Sequence, residues 1–165
     1  MTVVAPGTGR AARLVALTCL TVALTACSRG VSVTVPSPAP EGAAAYACAE
    51  LKGRLPALIL GKPTTATTPT STYTSAWGDP TIVLRCGVAM PAALTATSQL
   101  LSVNGVDWLP EPLERGYLFT TVGRAPVIEV SVPDAYQPES DALVDLSDAV
   151  AGVPVSSPAP SPSSS

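Results

Sequence analysis

The side chain with the clearest chemistry to perform is Cys27, which ends the stretch Leu24-Thr25-Ala26-Cys27. An aliphatic residue, small residues and then a cysteine form the pattern of a lipoprotein processing site. There the thiol takes a diacylglycerol and cleavage makes the cysteine residue one; sulfur is required because it is the nucleophile that forms a stable thioether. Upstream, Arg10 and Arg13 precede an apolar run over 14–26, of signal-peptide length and too short to span a bilayer as a helix. Leu24 stands where an ordinary signal peptidase, cutting after Ala26, wants a small residue. Residues 1–26 are therefore expected to be a lipoprotein signal peptide, with Cys27 lipidated and the chain held at the extracytoplasmic face of the cell membrane. Two acyl chains make such a membrane anchor durable, because each buried methylene contributes about 0.8 kcal/mol. A secreted protein without lipid, or an uncleaved anchor, is the alternative.

Of the four cysteines, Cys19 leaves with the signal and Cys27 is used by the lipid, so Cys48 and Cys86 remain in the exported part. In an oxidising compartment such a pair is most simply one structural disulfide. A redox or metal-binding pair is disfavoured by their separation and by the absence of histidine.

Lack of histidine also removes Ser-His-Asp and Cys-His nucleophile arrangements, and with them most hydrolase templates. Asp79, Asp107, Glu111 and Glu114 sit in or beside expected loops and could serve a carboxylate-based glycosidase, but no spacing singles out a pair. Acidic residues on the last helix lack the glycine-centred loop of a calcium site. No metal and no cofactor is expected. Loss of the signal leaves seven basic residues against twelve acidic ones, about five negative charges, with no basic run to displace counterions from phosphate; nucleic acid is not an expected partner.

The set most open to a binding role is Trp77, Arg85, Trp108, Tyr117 and Arg124, which places both tryptophans of a chain with few aromatics beside turns and near arginines. Aromatic residues plus arginine are the composition of interaction hot spots. On that reading they line a groove for a partner protein or an anionic envelope component, with Arg85 and Arg124 contacting carboxylate or phosphate. On the structural reading the tryptophans cap a small core, Arg85 pairs with Glu129, and Arg124 is a turn residue.

The elements that must position these side chains follow from periodicity. Residues 28–42 are rich in Pro, Ser and Val and are expected, with Cys27, to form an extended tether holding the domain tens of ångströms from the lipid at roughly 3 Å per residue. One domain follows over 43–153, and 154–165 is expected to be a disordered Ser/Pro tail. A helix is expected over 44–54, with Ala44, Cys48, Leu51 and Leu55 on one face, ended by Pro56. Residues 62–75 read as a long Thr- and Pro-rich loop. Alternation over 81–88 puts Ile82, Leu84, Cys86 and Val88 on one side of a strand. Asn104-Gly105 marks a hairpin turn, 117–122 and 127–132 a second strand pair across Gly123-Arg124, and 139–151 a helix ended by Gly152. The resulting class is α+β, a two-layer sandwich: an antiparallel sheet of about four to five strands with both helices packed on one face and the other face open to water or a partner.

The runs Trp77-Gly78-Asp79-Pro80-Thr81-Ile82-Val83-Leu84-Arg85-Cys86-Gly87-Val88, Val103-Asn104-Gly105-Val106-Asp107-Trp108 and Thr120-Thr121-Val122-Gly123-Arg124, with Cys48, Leu51 and Leu55-Pro56, carry a resemblance. They resemble an actinobacterial family of short exported lipoproteins, the domain of unknown function 3515 family. The resemblance implies an envelope-associated protein with no established activity and no catalytic residues to carry over. The expectation is thus a lipid-anchored extracytoplasmic protein that binds or scaffolds without catalysis. The alternatives are a carboxylate- and arginine-dependent enzyme acting on cell-wall glycan or peptide, and a purely structural spacer.

Overall fold

The computed structural model describes Thr2 and residues 32–156. Cys27, the signal segment and residues 157–165 lie outside the described residues. The elements run β1 (Ser32–Thr34), α1 (Gly42–Arg54), β2 (Leu58–Ile59), β3 (Lys62–Thr68), β4 (Thr74–Trp77), β5 (Ile82–Cys86), β6 (Leu101–Val103), β7 (Val106–Leu113), β8 (Gly116–Val122), β9 (Ile128–Val132) and α2 (Asp141–Ala151).

The expected antiparallel sheet of four to five strands is corrected. Among the described residues the chain forms a nine-stranded mixed sheet in the order β1-β3-β4-β5-β9-β8-β7-β6, with β2 paired to β3. Two antiparallel meanders, β3–β4–β5 and β6–β7–β8–β9, meet where β5 pairs with β9, and β1 adds a parallel edge along β3. Most of the extra strand content comes from 62–75, which is not a loop but β3, a turn and β4. Threonine is β-branched and suits a pleated, half-buried surface. Pro63 falls near the start of β3 and Pro69 just beyond its end, positions where a missing N–H costs the ladder little. Pro110 and Pro112 obey the same rule in β7, since β6 pairs only as far as Trp108 and leaves that part of β7 an edge on one side.

Part of the segment expected as an extended tether is docked on the domain instead. Ser32–Thr34 is hydrogen-bonded into the sheet, the Val35 N–H donates to the Thr68 carbonyl at 3.0 Å, and Val35 is buried. Pro40 lies so close to Gly87, itself at φ 85°, that a Cβ there would come within 2.6 Å of the ring. The sheet face away from the helices is consequently not open throughout: residues 33–36 line a groove with Val83, Arg85, Glu129 and Ser131, and Thr74, Ala76, Leu109 and Thr120 on that face are buried.

Several local readings hold. α1 ends where Leu55, before Pro56, turns extended at ψ 139°. Asn104 and Gly105 both take positive φ, as a tight hairpin between β6 and β7 requires, and Asn104 Nδ2 donates to Ser147 Oγ, pinning that hairpin to α2. Alternation in β5 buries Ile82, Leu84 and Cys86; in register with it β9 buries Ile128 and Val130. α2 buries Ala142, Leu143, Leu146, Ser147, Ala149 and Val150 in the same core. Cys48 and Cys86 form a disulfide with Cα atoms 5.7 Å apart, tying α1 to the inner face of β5.

Candidate functional site

The five residues of the expected groove are dispersed. Trp77 is 1% exposed and its indole N–H donates to the Pro56 carbonyl at 3.0 Å; Trp108 is 0% exposed. Both rings belong to the core cluster between sheet and helices. Arg124 is spent on carbonyls: Nη1 donates to Ala151 and Val153, Nη2 to Gly105, so its guanidinium closes the C-terminal end of α2 against the β6–β7 hairpin. Arg85 lies in register with Glu129 on the opposite sheet face, and its Nε and Nη2 donate to Glu129 Oε1 at 2.8 and 2.6 Å. Tyr117 alone is exposed, at 38%, stacked on Phe119 with ring centroids 5.8 Å apart, beside a shallow groove formed with Leu101, Pro110 and Pro138. No common wall joins the five. Aromatic and arginine side chains were the sequence signal, and the same chemistry that makes a hot spot also fills a core and caps a helix.

The four loop carboxylates do not converge either. Asp107 and Glu111 are four residues apart on β7, Glu114 sits in the β7–β8 turn, and Asp79 precedes β5 at the other side of the sheet. Among the described residues no group of three or more histidine, cysteine or acidic side chains could hold a metal.

Among the described residues a larger concavity than the groove beside Tyr117 lies between the end of α1 and the β3–β4 hairpin. It encloses about 380 Å³, within the roughly 300–1,000 Å³ of small-molecule pockets. Leu55, Pro56, Ala57, Ala66 and the edge of Trp77 give it apolar wall, and Thr64, Thr70, Ser71 and Ser75 give it hydroxyls; Thr65 and Thr67 border it but alternate to the opposite sheet face, where Thr67 Oγ1 meets Thr74 Oγ1. Its sole charged lining residue is Lys52. Lys52 is exposed as a residue, yet its ammonium folds back onto β4, donating to the Thr74 carbonyl at 2.6 Å and to Ser75 Oγ at 2.8 Å. Burial of this end pulls the Lys52 pKa below the ordinary lysine value of 10.5, since desolvation disfavours the charged form. Among the described residues no carboxylate comes within ion-pair distance of Lys52.

Of the five expected residues only Trp77 touches this cleft; sequence reasoning missed the rest of it because it read 62–75 as a loop and gave Lys52 no role. The available signal was the density of hydroxyl side chains in that segment.

A family model described as "Protein of unknown function (DUF3515)" matches residues 11–158. The chain belongs to the DUF3515 family. The match takes in β1 and the residues before α1, so the sheet edge supplied by that segment falls within the DUF3515 unit together with the cleft. The family description carries no activity, and no residue role comes over from it. No curated protein and no solved structure matches the chain.

Proposed function

We propose that this DUF3515 protein is lipid-anchored through Cys27 at the extracytoplasmic face of the cell membrane and serves there as a non-catalytic binding module, taking its ligand in the Lys52 cleft. The observation that carries the exported placement is the Cys48–Cys86 disulfide, a bond that persists in oxidising compartments and is rare where thioredoxin and glutathione keep thiols reduced. Leu24-Thr25-Ala26-Cys27 supports lipidation. Among the described residues no helix is long and apolar enough to cross a membrane. The binding role is supported by a cleft with one positioned cation and several hydroxyls.

The docked β1 changes the geometry of such an anchor. With Ser32 paired into the sheet, the five residue steps from Cys27 span at most about 17 Å, so the domain would rest against the lipid surface rather than stand tens of ångströms away. β3, which receives β1, also lines the cleft, bringing the site close to the anchored edge.

The test is the mass and location of the full-length protein made in a bacterium that matures lipoproteins. The expected species begins at Cys27, carries a diacylglyceryl group and sediments with membranes, while Cys27→Ser is unlipidated and leaves the membrane fraction. A chain that keeps Met1 in the cytosol with Cys48 and Cys86 as free thiols would contradict the proposal.

A further inference from the structure

The Lys52 cleft has a composition that selects among ligands. An ammonium has three donors. Two of them are committed to Thr74 and Ser75, which leaves one for a ligand and holds the group in place before any ligand arrives. A group already fixed loses little rotamer entropy on binding. The remaining wall is mixed: most of its surface is carbon, with hydroxyls set at points along it. Thr64 and Thr70 make no side-chain hydrogen bond among the described residues, so their hydroxyls are available, whereas Thr65, Thr67 and Ser71 are engaged with Gly78, Thr74 and Ser37. Opposite them, Leu55, Pro56 and Ala57 present carbon.

Charge narrows the choice further. A lysine that has no carboxylate partner among the described residues asks for an anion, against the net negative charge of the rest of the chain. α1 ends at the rim of the cleft, and the partial negative charge of a helix C-terminus works against a second negative charge there. The balance suits a monoanion. Its body must offer hydroxyls toward β3 and a C–H face toward the end of α1, which describes a pyranose bearing one carboxylate. A polyanion would meet only one cation, and a purely apolar molecule would strip water from the threonine hydroxyls without replacing it.

We infer that the cleft between α1 and the β3–β4 hairpin is a binding site for a sugar acid, with Lys52 contacting the carboxylate and Thr64 and Thr70 contacting ring hydroxyls. This inference rests on the binding reading of the same cleft proposed above.

The test uses the full-length matured protein in detergent micelles, titrated calorimetrically with glucuronate, methyl β-glucuronide, glucose and inorganic phosphate. Glucuronate is expected to bind, with glucose at least roughly tenfold weaker, since a charge-assisted hydrogen bond is lost. Lys52→Gln should weaken glucuronate by a similar factor while the protein still unfolds cooperatively with its disulfide intact; Thr70→Val should weaken it less. Methyl β-glucuronide binding as well as glucuronate would identify a polymer-linked residue as the source, and glucuronate alone a free sugar acid. Glucose binding as tightly as glucuronate, inorganic phosphate matching it, or Lys52→Gln leaving the affinity unchanged would each overturn the inference. Loss of all sugar binding while a photo-crosslinker at Thr70 still captures a ligand in cells would sink the sugar acid and spare the cleft. Cys27→Ser should bind like the lipidated protein, which keeps failure of the anchor separate from failure of the site.

Discussion

The middle of the sheet and its β3–β4 end use their side chains in opposite ways. Across β5, β9 and β8 the inner face is closed: Ile82, Leu84, Ile128, Val130 and Phe119 lie under two helices, the disulfide locks α1 onto β5, and Arg124 seals the end of α2. At the β3–β4 end the same face opens into a cleft of small hydroxyl side chains around one lysine. Trp108 and Arg124 therefore belong to the closed region, Trp77 is shared between the core and the cleft wall, and the least conspicuous segment offers the free hydroxyls.

Breaking the closed region should have the largest effects. Replacing both cysteines with alanine releases a loop of 38 residues, a loss of about 4 kcal/mol on the chain-entropy account, read as a lower denaturation midpoint in urea. Arg124→Ala removes hydrogen bonds to three carbonyls and should cost about 2 kcal/mol, with amide exchange quickening first at the end of α2. The Arg85–Glu129 pair is partly solvated, at 30% and 15% side-chain exposure, so a double-mutant cycle should return a coupling of only about 1 kcal/mol.

The smallest effect belongs to the open region and has a definite sign. At neutral pH the desolvated Lys52 ammonium counts against the folded state. As pH rises past its lowered pKa toward 10.5, the unfolded chain still holds the proton that the folded protein has released, so the Lys52 contribution to stability increases. Lys52→Gln should flatten this rise in denaturation midpoint over the alkaline range. A rise of equal slope in the variant would assign it to another group.

Much of the closed region was legible in the sequence because its signals are local. A period of 3.6 marks α2, a period of two marks β5, and Asn104-Gly105 and Leu55-Pro56 carry their turn and stop in their own backbone preferences. The disulfide followed from two cysteines left in an exported chain, and both fall on apolar faces of their elements. The β3–β4 end was not legible, because threonine and proline serve both loops and strand edges, and only the arrival of β1 and β4 on either side of β3 decides between them. Trp77 and Trp108 were ambiguous for a related reason: whether an indole is buried or offered to a partner depends on helices distant in sequence. Lys52 gave no signal by itself, as its acceptors Thr74 and Ser75 lie on a strand the composition concealed.

The central claim, that binding belongs to the β3–β4 end and stability to the rest, is tested most directly by photo-crosslinking in intact cells. A photoreactive amino acid is placed in turn at Thr70, at the rim of the cleft, and at Tyr117, the exposed aromatic at the far end of the inner face. The account predicts a ligand adduct from Thr70 that disappears in Lys52→Gln, and none from Tyr117. Adducts from Tyr117 alone, or adducts from Thr70 that persist without the lysine, would contradict it.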